Sequence, residues 1–65
     1  MFRTARIDFI DSNGDPRTDI FRVYDNPFNH EGQFREDEIE IAVHDAGFRD
    51  FRIVQWEWVS FMQHA

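Results

Sequence analysis

Residues 48–62 read Phe48-Arg49-Asp50-Phe51-Arg52-Ile53-Val54-Gln55-Trp56-Glu57-Trp58-Val59-Ser60-Phe61-Met62, and the fold turns on how this stretch lies. It holds both tryptophans and three of the eight phenylalanines, and its β-branched and aromatic content predicts a long strand. Its alternation is irregular. Phe51, Ile53, Val59 and Phe61 share one parity, which Gln55 and Glu57 interrupt. Val54, Trp56, Trp58 and Met62 share the other, which Arg52 and Ser60 interrupt. A strand with one wet face carries one apolar parity, and this one carries two. Either a bulge near Gln55 flips the register or both faces are covered, and in so short a chain the second option calls for a partner.

Working back from there, residues 34–46 fit two templates. Ile39, Ala42, Val43 and Ala46 satisfy the i, i+3, i+4, i+7 spacing of a helix, whereas Ile39, Ile41 and Val43 alternate with Glu38, Glu40 and His44 as in a strand. Helix is the expectation. Glu36, Asp37 and Glu38 suit the positive end of a helix dipole, the alanines favour helix, and Gly47 suits the C′ position with Phe48 making the accompanying apolar contact. Upstream, residues 2–11 predict a first strand with Ala5, Ile7 and Phe9 on one face. Residues 18–25 predict its return, with Phe21 and Val23 on one side and Ile20, Arg22 and Tyr24 on the other. Between them, Ser12-Asn13-Gly14-Asp15-Pro16 predicts a type I′ hairpin turn. Asn26 to Gly32 is a loop in which Phe28 is expected to anchor to the core.

The result is one small α+β domain over residues 1–65, of order ββαβ. If the last strand lies beside the first, the sheet is three-stranded and antiparallel in the order 2-1-3. The helix then covers one face, with Ile39, Val43 and Ala46 on Ile7, Phe9, Phe21 and Val23. The far face is expected to expose Phe2, Ile10, Ile20 and Tyr24 together with one parity of the last strand, the tryptophan one.

Composition narrows the function. There is no cysteine and no lysine, which removes disulfides, thiolate metal sites, cysteine nucleophiles and Schiff-base chemistry. Thirteen acids against seven arginines leave a net charge of −6, which argues against direct nucleic-acid or anionic-membrane binding and favours a basic partner. No stretch approaches the length of a membrane span. The start of the chain reaches Asp8 and Asp11 without an apolar leader core, so a cytoplasmic location is expected. Asp11-Ser12-Asn13-Gly14-Asp15 superficially resembles a calcium loop, but its glycine comes one position early and no glutamate closes it. His30, His44 and His64 fall in no metal-ligand spacing, Ser12 and Ser60 lack a nucleophile signature, and no glycine-rich phosphate loop occurs. No metal, cofactor or catalytic residue is therefore expected, and the chain is read as working through its surfaces.

Two surfaces stand out. Glu36, Asp37, Glu38, Glu40 and Asp45 would spread carboxylates over the outer side of the helix, where they can stand in for nucleic-acid phosphates in a cationic groove. Tyr24, Trp56 and Trp58 form the second, a self-association or adaptor interface of the aromatic kind that makes hot spots. A small, cysteine-free, acidic α+β chain with such a helix resembles the phage-encoded anti-CRISPR and other nucleic-acid-mimic inhibitors. The resemblance rests on those five acids and on overall build, since such inhibitors share no motif. It implies stoichiometric binding to a basic protein or nucleoprotein complex in the host cytoplasm, without catalysis. A homodimer joined through its sheets would display two acidic helices outward.

Overall fold

The structure, a computed structural model, describes residues 1–25 and 33–60, and for residues 33 and 34 the backbone alone. The Asn26–Gly32 loop with Phe28 and His30, and the tail with Phe61, Met62 and His64, lie outside the described residues. The elements are β1 (Phe2–Ile10), β2 (Pro16–Tyr24), α1 (Gln33–Asp45) and β3 (Arg52–Trp58). They build a three-stranded antiparallel sheet in the order β2-β1-β3 with one helix, the ββαβ arrangement expected.

The ambiguity over residues 34–46 resolves to helix, and burial gives the reason. Ile39 and Val43 are fully buried and Ala42 half-buried, whereas Ile41 is exposed. Two residues on a helix stand about 200° apart, so Ile41 leaves the face that Ile39 occupies; on a strand it would share it. Ala46, expected on the core face, is exposed instead, because the helix has ended by then. That end is a Schellman motif. Phe48 N–H donates to the Val43 carbonyl and Gly47 N–H to that of His44, with Gly47 at φ 105°. Phe48, just beyond, sets its ring edge-on to Phe9 at 4.9 Å. Arg49 then donates to the His44 and Phe48 carbonyls, and Asp50 turns through φ 53°. Residues 48–50 are thus spent in reversing the chain, and β3 is shorter than the sequence pattern suggested.

The hairpin also differs in detail from expectation. A type I′ turn needs positive φ at both central residues, yet Gly14 alone between the strands has it, at 83°. Gly14 N–H donates to the Asp11 carbonyl and Asp11 N–H to the Asp15 carbonyl, which describes a three-residue loop closed by a left-handed glycine. The Asp11 carboxylate explains the choice. It accepts from the Asn13 and Asp15 amides and from Arg17 Nε, and it is the one buried charged residue among those described. Those bonds, Arg17 foremost, hold its carboxyl below the usual carboxylate range.

The two-parity puzzle of the last strand resolves through a bulge. Asp8 pairs with Gln55 and Phe9 with Ile53, so Val54 is the extra residue on β3. On one side of it Ile53 faces the core with Phe9; on the other, Trp56 and Trp58 face it with Ile7 and Ala5. A single insertion therefore puts both apolar parities on the same face.

The core comprises Ala5, Ile7, Phe9, Phe21, Val23, Ile39 and Val43, with Phe48, Phe51, Ile53, Trp56 and Trp58 packed around it. Phe9 is its hub, edge-on to Phe21, Phe48 and Phe51. Such ring pairs add about 0.5–1.5 kcal/mol each beyond area burial, which matters in a domain too small to bury much.

Candidate interaction surfaces

Because the bulge turns Trp56 and Trp58 toward the helix side, they do not join Tyr24. The register sets Tyr24 opposite Phe2 on the far face, and the tryptophans opposite Ile7 and Ala5 on the near one. The expected tryptophan-bearing patch on the far face is therefore absent. Phe2, Ile20 and Tyr24 are exposed there and Ile10 is half-buried, but polar cross-strand pairs dominate the rest. Arg6 forms an ion pair with Glu57, and Asp8 accepts from Thr18 Oγ1 at 2.8 Å and from Gln55 Nε2 at 2.7 Å. Those two bonds, the one from Gln55 first, lower the Asp8 carboxyl.

On the near face the tryptophans make a T-shaped pair with centroids 5.1 Å apart. Arg3 lies over the Trp58 ring at 4.2 Å and Arg35 at 5.7 Å, and both arginines reach Asp25. Cation–π contact and ion pairing hold this end of the sheet together.

The helix does not sit centrally. It packs on β2 and leaves the near face of β3 partly open. A groove of about 530 Å³ results, lined on the helix side by Glu36, Ile39 and Glu40 and on the sheet side by Phe51, Arg52, Ile53 and Trp56. Sequence reasoning missed it, since the offset of the helix follows from packing that periodicity does not encode.

The five predicted acids lie on α1 as expected, though not as a single patch. Glu36 and Glu40, one turn apart, flank the β3 groove. Glu38 and Asp45 flank a shallow depression of about 190 Å³ on the β2 side, with Arg22 and Tyr24. Asp37 is exposed between the two flanks. Along the axis, five carboxylates fall within about 14 Å at 1.5 Å rise per residue. One nucleic-acid strand carries a charge about every 3.4 Å, so the linear density is comparable.

All seven arginines are described; six are engaged elsewhere, and Arg52 lines the β3 groove with Glu36 and Glu40. Arg3 and Arg35 pair with Asp25, Arg6 with Glu57 and Arg17 with Asp11, while Arg22 lies over the Phe2 ring and Arg49 caps the helix. None forms an ion pair with Glu36, Asp37, Glu38, Glu40 or Asp45. Asp45 has His44 Nδ1 at 3.9 Å. Among the described residues no three His, Asp or Glu side chains gather as a metal site, and no helix is long and apolar enough to cross a membrane.

No family model, curated protein or solved structure matches this chain.

Proposed function

We propose that this chain is a non-catalytic binding domain that presents its acidic helix to a basic surface of a partner protein. In the finer form of the proposal, that surface is the phosphate-binding groove of a nucleic-acid-handling complex, such as a CRISPR-type effector, and occupying it inhibits the complex. One observation carries the reading: six of the seven arginines are engaged elsewhere, and among the described residues none, Arg52 of the β3 groove included, forms an ion pair with the helix acids. Carboxylates in excess of the arginines around them, none of them ion-paired to an arginine, favour an external cationic partner through long-range attraction at phosphate-like linear density.

The test is capture of partners from a lysate by the parent chain and by the E36K/D37K/E40K variant, whose three positions are exposed and carry no core contact. The parent is expected to retain a basic protein that added nucleic acid displaces, and the variant to lose it while keeping its circular dichroism and thermal midpoint. Equal capture by the folded variant would refute the proposal.

A further inference from the structure

The two edges of the sheet are not alike. Asp11 N–H donates to the Asp15 carbonyl and Asp25 N–H to that of Met1, so odd residues form the hydrogen-bonded pairs between β1 and β2. Even residues of β2 therefore point their backbone groups outward. There the edge is blunted: Pro16 has no N–H, and the Ile20 N–H is taken by the Asp19 carboxylate at 2.8 Å.

On the opposite side, Val59 N–H donates to the Thr4 carbonyl, and the register pairs Arg6 with Glu57 and Asp8 with Gln55. The alternation then sends the N–H and C=O groups of Trp56 and Trp58 out from the free edge of β3. Among the described residues nothing hydrogen-bonds them, and no proline or self-capping carboxylate guards this stretch. Immediately inside that edge runs the groove floored by Phe51, Ile53 and Trp56 and walled by Glu36 and Glu40, two carboxylates against the single cation among the described residues, Arg52, that also lines it.

We infer that β3 is a docking edge, which takes an extended segment of a basic partner as a fourth strand. This rests on the acidic-helix reading and specifies how the partner engages. Charge complementarity selects the occupant. Side chains at alternate positions of an added strand fall on the groove side, about 6.8 Å apart, and Glu36 and Glu40 stand one helical turn apart at about 6 Å. A strand with arginine or lysine at alternate positions sets its cations against that pair and lays their aliphatic stems over Trp56 and Phe51. Main-chain bonds to Trp56 and Trp58 supply register, and the carboxylates supply selectivity. A second copy of this chain is disfavoured as occupant, because it would bring a second helix of equal negative charge to the same groove.

The probe is a nine-residue peptide alternating arginine with threonine, added to the full chain and followed by tryptophan fluorescence and amide hydrogen exchange. Binding should slow exchange at the Trp56 and Trp58 amides while leaving the amides of β2 unchanged. An added strand offers every second amide to the edge, so N-methylation of one alternate set should weaken binding about tenfold and methylation of the other set should not. The E36Q/E40Q variant should weaken it by about tenfold as well, and more so at low salt. Equal binding of both N-methylated peptides, or unchanged exchange at Trp56 and Trp58, overturns the inference even if E36K/D37K/E40K abolishes partner capture; in that event the acidic-helix reading stands alone. Concentration-dependent protection of the same amides without peptide, with a dimer by light scattering, would assign the edge to a second copy and overturn it too.

Discussion

At Gly47 the backbone stands at φ 105°, and a Cβ built there would meet nothing within 4 Å. Replacement by L-alanine therefore costs conformational strain and no clash, which makes the position a clean probe of the helix stop. Gly47→Ala should lower the unfolding free energy by more than about 1 kcal/mol, and D-alanine at the same site should restore it. Urea denaturation of the two chemically made variants decides the matter; equal loss with both would point to packing instead. Asp8 and Asp11 supply a second residue-scale test. Both carboxyls are lowered in the folded chain, Asp8 chiefly by Gln55 and Asp11 chiefly by Arg17. A depressed folded value means the bonds stabilise above the unfolded carboxylate value of about 3.9 and fail as pH falls through the folded value. The acid limb of stability should accordingly flatten in the D8N/D11N variant below about pH 4, with lower stability at neutral pH. Gly47 was legible from the sequence, since a glycine after the last periodic residue is a local signal. The Asp11 hub was not, because its role depends on Arg17 returning across the hairpin.

At the scale of elements, α1 and β3 show what periodicity can and cannot settle. Ile39 and Ile41 are chemically identical and two residues apart, yet one is fully buried and the other 49% exposed. Ile39→Ala should cost about 2–5 kcal/mol by opening the core, and Ile41→Ala should fall within about 0.5 kcal/mol of the parent. Comparable losses at both sites would mean that residues 33–45 do not persist as a helix in solution. The strand order was legible because the hairpin signal and the helical return leave few ways to place the last strand. The face of Trp56 and Trp58 was not legible. It hangs on Val54, a residue whose type says nothing about its being inserted, and 57% of whose surface is left exposed. Deleting Val54 should convert the bulge into a regular register in which Phe51, Ile53, Trp56 and Trp58 fall at alternate positions and all keep to the core face. The expected result is cooperative unfolding retained, with unshifted tryptophan emission. A deletion variant that loses cooperative unfolding, with red-shifted emission, would show that Val54 is not the inserted residue.

For the molecule as a whole, the acids create opposing demands that salt can separate. Five carboxylates on one helix, none of them ion-paired to an arginine, repel one another in the compact state more than in an expanded chain. Asp45 adds to this from the negative end of the helix dipole, where a cation would be favoured. Screening shortens the reach of that repulsion from about 30 Å at 0.01 M salt to about 8 Å at 0.15 M. The pairs that hold the fold are less affected, because the Asp11 site is buried and the aromatic cluster carries no charge. Thermal stability should therefore rise as sodium chloride is raised across this range, while affinity for the alternating arginine peptide falls. In E36K/D37K/E40K the rise should shrink, since the three reversals cancel most of the repulsion. Calorimetry and peptide titration along one salt series measure both quantities on the same sample. If stability and affinity fall together, the helix acids are holding the fold through contacts within the chain, and their availability to a partner is ruled out.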